Sequence, residues 1–248
     1  STVPCSLSTD AVPPGYKQTE LGGIPEDWEV KELGDLNPFI TSGSRGWADF
    51  YSIQSGYPFI RITNLSREFI YPNLKDLKLV DLPENLNEGL RTQLQPNDLL
   101  ISITADIGII GYISENFPSP SYINQHIALV RFKSFKADAK FISYYLASEP
   151  VQKLFQAATD TGAKAGMSLI TVQKIKTVLP PLPEQKAIAA ALSDVDALIT
   201  AQEALIAKKR DIKTATMQQL LTGKVRLVES GKWKMENGGA ESLSTVPC

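Results

Sequence analysis

The stretch PPLPEQKAIAAALSDVDALITAQEALIAKKRDIKTATMQQLL, residues 180–221, decides how this chain is organised. Its prolines at 180, 181 and 183 suit the entrance of a helix, where a missing backbone N–H costs nothing. Neither proline nor glycine follows Glu184 until Gly223. The sequence therefore predicts a helix of roughly 38 residues, about 57 Å long at 1.5 Å per residue. Globular helices average about 11 to 12 residues, so this one is unusually long for an element of a single core.

An apolar stripe follows one side of the predicted helix, because its members recur at steps of three, four and seven residues. No second long helix is predicted in this chain to cover the stripe. We therefore expect an antiparallel coiled coil with a second copy, a homodimer in which the stripe is the seam. Burial of each large seam residue contributes about 1.5–3 kcal/mol, against an association cost of about 4–15 kcal/mol. The predicted seam consists of Ile188, Leu192, Val195, Ile199 and Ile206.

The sequence before this helix carries short apolar runs separated by turn residues, which is typical of a mixed, strand-rich α+β domain. We expect strands over 59–62, 99–103, 108–113 and 123–132, a helix over 138–157 interrupted at Pro150, and a long loop over 37–58. The predicted order is a disordered tail over 1–15, a globular domain over 16–179, the helix over 180–223 and a tail over 224–248.

Composition is that of an ordinary soluble protein, with 248 residues, 43% of them hydrophobic and 21% charged. The sequence shows no apolar run of the roughly 20 residues that a membrane span needs and no signal peptide. We expect a cytoplasmic protein that does not contact membranes. The pentapeptide STVPC stands at both 1–5 and 244–248. It is either a flexible tail or cloning scar, or a remnant of a tandem arrangement.

Charge is unevenly distributed along the chain. The formal net charge is −2, which by itself gives no argument for nucleic acid. Residues 131–176, however, hold eight basic and three acidic side chains, whereas residues 1–60 hold three basic and eight acidic ones. This asymmetry would suit a polyanion that approaches one face of the globular domain.

Motifs of catalysis are missing from the sequence. It contains no phosphate-binding loop and no dinucleotide fingerprint. The single histidine, His126, and the two cysteines, Cys5 and Cys248, cannot supply a zinc site or a nucleophilic triad. We interpret His126 as a hydrogen-bonded residue at a strand rather than a catalytic base. The sequence thus favours a binding protein that needs neither cofactor nor metal.

Six stretches follow one another along the chain: YKQTELGGIPEDWEVKELGDL (16–36), SGSRGW (42–47), FIRITNL (59–65), PNDLLISITADIGIIGYI (96–113), YINQHIALVRF (122–132) and LPPLPEQKAIAAAL (179–192). Together, in this order, they resemble the specificity subunits of type I restriction–modification systems. The last stretch is the most specific in combination with the others.

The resemblance implies a protein that binds double-stranded DNA in a sequence-specific manner and performs no chemistry. Such subunits carry two target-recognition domains, each reading half of a bipartite site, held apart by two antiparallel helices. They scaffold modification subunits, which methylate adenine with S-adenosylmethionine, and restriction subunits, which use ATP and Mg. With one recognition domain and one long helix, this sequence is expected to act as a half-subunit that homodimerises.

Two polar loops, 41–47 and 159–168, offer the hydroxyl, amide and cationic groups that contact phosphates and base edges. Both could equally be ordinary surface loops, and for Arg61 and Asn64 a structural role competes with DNA contact. A structural assembly module without intrinsic DNA reading stays open as an alternative function. The predicted DNA contacts are Ser44, Arg45, Trp47, Thr104, Gln125, Lys164 and Ser168, of which Arg45 and Lys164 are the leading candidates.

Overall fold

A computed structural model describes residues 12–227 except 44, 84–86, 134, 136 and 161–165, and it leaves out the side chains of 87, 88 and 158–160. The described chain has an α+β fold, in which a strand-rich region precedes one helix of 40 residues, Leu182–Leu221. The predicted fold class is therefore confirmed. The predicted tails lie outside the described residues, apart from 12–15 and 224–227.

Strands and helices follow one another along the described chain with these bounds. The strands are β1 (Tyr16–Thr19), β2 (Gly22–Pro25), β3 (Glu29–Glu32), β4 (Phe39–Ser42), β5 (Tyr51–Ser52), β6 (Tyr57–Ile60), β7 (Lys78–Val80), β8 (Leu99–Ser102), β9 (Ile110–Tyr112), β10 (Tyr122–Ile123), β11 (Ile127–Arg131) and β12 (Lys176–Leu179). The helices are α1 (Asn87–Thr92), α2 (Ala139–Ala147), α3 (Glu149–Asp160), α4 (Leu169–Gln173) and α5 (Leu182–Leu221).

The main sheet has the order β4-β11-β8-β9, with every pair antiparallel. Its central strand β8 is buried on both faces, which explains its continuous apolar sequence. Leu99 and Ile101 point into the core shared with α2 and α3, whereas Leu100 points into a separate core on the other face. Strand β8 is therefore inaccessible to a ligand, which can reach the turns at the ends of the sheet.

A second sheet, β10-β6-β7-β5, takes β5 and the start of β6 from the segment that was predicted to be a long loop. That prediction was wrong in part, since 37–58 contains β4, β5, the start of β6 and a 3-10 turn at Trp47–Phe50. These pieces are short, and each is stabilised by a strand distant in sequence, β4 by β11 and β5 by β7. Local periodicity could not reveal them.

The first turns of α5 are fixed to the globular domain. Gln185 has no exposed surface; its Oε1 accepts from Asp138 N at 2.8 Å, and its Nε2 donates to Pro180 O at 2.7 Å. The Asp138 carboxylate in turn caps α2 by accepting from Phe141 N at 2.8 Å. Ile188 packs against the main core. Ile188 is only half-buried there, and its assignment to the dimer seam stays a prediction.

The chain divides into two compact units between Asp194 and Val195, inside α5 rather than at its start. The predicted helix over 138–157 is two helices, α2 and α3, which separate at Ser148. Pro150 lies in the first turn of α3, where proline is tolerated. Within the described part of the chain, none of the helices combines the length and apolar character that a bilayer span requires.

Candidate nucleic-acid interface

Four polar turns meet at one end of the main sheet. Antiparallel pairing places the beginning of β11 beside the ends of β4 and β8, with Ala128 opposite Ser42 and Ile127 opposite Ser102. The turns that follow β4 and β8 therefore lie beside the turn that precedes β11. We call this set the loop edge, defined by residues 43, 45–46, 104–106, 124–126 and 166–168.

The turn after β4 is pressed against the turn before β11. Gly43 N donates to Ile127 O at 3.2 Å. A Cβ on Gly43 would lie 2.2 Å from the carbonyl oxygens of both Ile123 and Asn124. Only glycine permits so close a backbone approach, so Gly43 allows the turn after β4 to lie against the turn before β11.

The two remaining turns are attached through Ile103. Ile103 N donates to His126 O at 2.9 Å, and Ile103 O accepts from Met167 N at 2.7 Å. Gly166 has a φ of +94°, and a Cβ there would lie 2.9 Å from Ile103 O. Backbone hydrogen bonds thus link residues 124–126 to 166–168 by way of the residue before Thr104.

Three of the sequence-predicted contacts lie at the loop edge with accessible side chains. Arg45 is exposed, while Thr104 and Gln125 are half-buried. Ser168 is also exposed, but its hydroxyl accepts from Thr171 N at 3.1 Å as the N-cap of α4, so the structure gives it a local role. Ser44 and Lys164 lie outside the described residues, and their assignment stays a prediction.

Trp47 occupies a different environment from the one that was predicted. Its side chain is only 3% exposed. It stacks on Phe59 with ring centroids 5.6 Å apart and meets Tyr122 edge-on at 5.4 Å. In this structure the indole ring packs the core of the second sheet, so its assignment as a DNA contact is corrected.

The two residues with competing assignments have structural contacts. The buried Asn64 accepts from Arg61 N through Oδ1 at 3.0 Å and donates to Asn73 O at 3.1 Å. Arg61 donates from Nη2 to Asp76 O at 3.1 Å. Both side chains therefore hold the segment between β6 and β7 in place.

The sequence did not indicate that His126 contacts two other residues of the loop edge. The prediction of a hydrogen-bonded histidine at a strand is confirmed, since its Nδ1 lies 2.5 Å from Thr104 Oγ1. The same ring also reaches Gln125, whose Nε2 lies 3.3 Å from His126 Nε2. Gln125 is adjacent in sequence, but the Thr104 contact spans 22 residues. No local pattern indicates that one ring joins two predicted contacts.

Ion pairs neutralise part of the basic segment 131–176. Arg131 binds the buried Asp98 carboxylate through Nε at 2.6 Å and Nη2 at 2.7 Å, at the opposite end of β8 and β11 from the loop edge. Burial raises the pKa of the Asp98 carboxyl, and the hydrogen bonds from Arg131 oppose that shift. Lys153 and Lys176 pair with Glu149 and Glu20. The charge asymmetry of the sequence therefore overstates the positive charge available to a polyanion.

The loop edge offers hydrogen bonding rather than acid–base or metal chemistry. Among the residues that the structure describes, no three His, Cys, Asp or Glu side chains are grouped so that they could hold a metal ion. Its accessible groups include a guanidinium, a primary amide, two hydroxyls, an imidazole and the Asp106 carboxylate, which pairs with Arg67. Arginine and glutamine are the side chains that pair bidentately with guanine and adenine edges, and backbone amides at glycine-rich turns contact phosphates.

Comparison with known proteins finds a matching family and two curated relatives of this chain. Residues 25–208 match the family described as the type I restriction modification DNA specificity domain. The putative type I restriction enzyme MjaX specificity subunit of Methanocaldococcus jannaschii is 33% identical, over 86% of this chain and 47% of that protein. The type I restriction enzyme MjaVIII specificity subunit of the same organism is 29% identical, over 86% and 49%. The chain thus spans about half the length of the curated relatives it matches.

Solved structures show the same fold. The HsdS subunit from Thermoanaerobacter tengcongensis superposes with a TM-score of 0.53 at 19% identity, covering 83% of this chain and 47% of that subunit. The type I restriction–modification S subunit from M. genitalium superposes with a TM-score of 0.55 at 13% identity, covering 77% and 44%. At these identities the likeness concerns the fold, and it agrees with a strand-rich domain followed by a long helix.

Proposed function

This chain belongs to the family of type I restriction modification DNA specificity domains, and on that premise we propose that it reads one half of a bipartite DNA target. The observation that carries the proposal is the convergence of Arg45, Thr104 and Gln125 on one loop edge of a chain of this family. Base-edge contacts carry sequence information, whereas phosphate contacts set position and register. The loop edge offers groups for both.

The second part of the proposal is a homodimer through α5. Four of the five predicted seam residues are substantially exposed: Leu192 (41%), Val195 (53%), Ile199 (41%) and Ile206 (50%). Exposed apolar side chains repeated along one helix face favour a partner helix. An antiparallel, twofold pairing would give each copy the same contacts and present two identical loop edges. The expected target is then a palindrome interrupted by a spacer.

The third part concerns partners. This chain scaffolds modification subunits, which use S-adenosylmethionine, and restriction subunits, which use ATP and Mg, and it performs no reaction itself. Its place of action is the cytoplasm, where the DNA target is found. The exposed Lys208, Lys209 and Arg210 on α5 are available to these partners. Neither the fold nor the comparisons favour the alternative of an assembly module without DNA reading.

Mapping of methylated adenines in cells tests the proposal. The chain is expressed with modification subunits of a type I system, and cells with the modification subunits alone are the control. We expect methylation confined to one interrupted palindrome, and only when the chain is present. Methylation independent of the chain, or spread over unrelated sequences, would contradict the proposal.

A further inference from the structure

Two hydrogen bonds connect three side chains across the loop edge, from Thr104 through His126 to Gln125. Thr104 Oγ1 lies 2.5 Å from His126 Nδ1, and Gln125 Nε2 lies 3.3 Å from His126 Nε2. All three side chains are half-buried, so these hydrogen bonds are partly protected from water and partly accessible to it. They join two turns that the sequence separates.

The chemistry of the two contacts determines the tautomer of His126. An amide nitrogen can only donate, so the neighbouring Nε2 must accept. A neutral imidazole has one donor and one acceptor nitrogen, and its hydrogen therefore resides on Nδ1 and is donated to Thr104 Oγ1. The threonine hydroxyl acts as the acceptor and thereby selects the state of a ring that contacts Gln125.

The contact with His126 leaves a defined edge of Gln125 free. A primary amide that donates one hydrogen to His126 keeps Oε1 as an acceptor and its second N–H as a donor. An acceptor and a donor in this arrangement match N6 and N7 of adenine in the major groove. Reversal of the His126 tautomer would rotate the amide and exchange the donor with the acceptor, which no longer matches.

We propose that His126 is a positioning residue that, held by Thr104, sets the amide of Gln125 for recognition of an adenine. This inference rests on the proposed function, because it names one base reader within the same loop edge. His126 itself touches no base in the proposal. It acts only through Gln125, so its removal should affect one position of the target rather than binding as a whole.

The backbone of the turn is held without the imidazole, which makes the proposal testable by substitution. His126 N donates to Asn124 Oδ1 at 3.2 Å, His126 O accepts from Ile103 N at 2.9 Å, and Asn124 N donates to Ile60 O at 3.0 Å. None of these bonds uses the ring. A change of side chain at position 126 should therefore leave the turn in place.

The test selects binding sites from a random DNA library with the full chain, alone and together with modification subunits. His126→Asn keeps an amide near the position of Nδ1 but cannot reach Gln125. His126→Gln carries an amide to the position of Nε2, and Gln125→Ala removes the reader. We expect Gln125→Ala and His126→Asn to lose discrimination at the same A·T position, by roughly 5- to 150-fold. His126→Gln should retain part of this discrimination. The double variant with Gln125→Ala and His126→Asn should lose no more than either single variant, because both changes act on the same base contact.

Several results would overturn the inference. One is an unchanged base preference in His126→Asn while Gln125→Ala loses one position. Another is a uniform loss of affinity over all sequences, which would indicate a structural role. Nitrogen chemical shifts of the imidazole in the DNA-free protein give an independent reading, since an Nε2–H tautomer would also refute it. If the unaltered chain shows no sequence preference even with modification subunits, the proposed function fails and the positioning role falls with it.

Discussion

Some residues of the loop edge fix its backbone, and others have side chains that are accessible to DNA. Gly43 shapes it by allowing backbone contact with Ile123 and Asn124, and Ser168 shapes it by capping α4. Arg45 and Gln125 are accessible and carry the donors and acceptors that base edges require. Sequence-specific effects are therefore expected from these two, and folding effects from the other two.

Arg45→Ala is expected to weaken binding to the preferred target by about 1–3 kcal/mol and to relax specificity at one base pair. The reason is the loss of a guanidinium that can bind guanine bidentately. Competition binding against a panel of single-base variants measures both effects. Lys186→Ala, which also removes one positive charge from an exposed helix position outside the loop edge, is the control. Unchanged affinity and unchanged base preference in Arg45→Ala would remove Arg45 from the interface.

Arg131→Met tests the ion pair at the far end of the sheet. It leaves the buried Asp98 carboxyl without its guanidinium, and we expect the free energy of unfolding to fall by about 3–5 kcal/mol. Urea denaturation measures this loss. Lys153→Met disrupts the exposed pair with Glu149 and should cost far less than Arg131→Met, because water screens the charges of exposed pairs. Equal losses in the two variants would mean that burial of Asp98 does not matter.

The same variant should show a defined pH dependence. Burial raises the pKa of Asp98 above its ordinary value of 3.8, and removal of Arg131 removes a group that lowers it. The native state then binds a proton over a pH range in which the unfolded chain has released it. The free energy of unfolding should therefore fall as pH rises from about 4 toward the raised pKa, and level off above it. Denaturation curves from pH 4 to 8 check the sign.

At the scale of elements, α5 has two parts with different surroundings. Its first turns contribute Gln185 and Ala189 to the interior of the domain. From Leu192 onward, apolar side chains recur on an exposed helix face. The exposed part of the seam proposed for dimerisation therefore begins at Leu192, whereas Ile188 is half-buried against the domain.

Leu192→Asp combined with Ile199→Asp should convert the dimer to a monomer, because two charges per chain would otherwise be buried in an apolar seam. Sedimentation velocity at several concentrations measures the association state. Ala197→Asp with Ala204→Asp adds the same charges to exposed positions about 140° away around the helix. That control should remain dimeric. A dimer that persists in the seam variant would place the interface elsewhere.

At the scale of the whole molecule, the proposed homodimer makes helix length a ruler between two half-sites. Duplication of residues 199–205 adds one heptad and keeps the apolar stripe in register. Seven residues lengthen a helix by about 10.5 Å, and DNA advances about 3.4 Å per base pair. We expect the same half-sites separated by a spacer about three base pairs longer. Methylation-site mapping measures the spacing. An unchanged spacer would contradict the proposal that helix length sets the distance between the half-sites.

The sequence alone determined the elements whose signal is local. The apolar run of β8 predicted a buried strand because both faces of that strand are covered. The absence of proline and glycine after Glu184 predicted the long helix, which extends over Leu182–Leu221. The six ordered stretches likewise indicate the family, since the order of motifs along a chain is a property of the sequence alone.

Tertiary structure decided everything that depends on partners distant in sequence. Strand β4 forms because β11 pairs with it, Trp47 is buried because Phe59 and Tyr122 surround it, and Ile188 is half-buried because the main core packs against it. The link from Thr104 through His126 to Gln125 exists because the end of β8 lies beside the beginning of β11. A single sequence records which groups are available. Only the folded chain, by bringing distant segments within hydrogen-bond and packing distance, determines which of them meet.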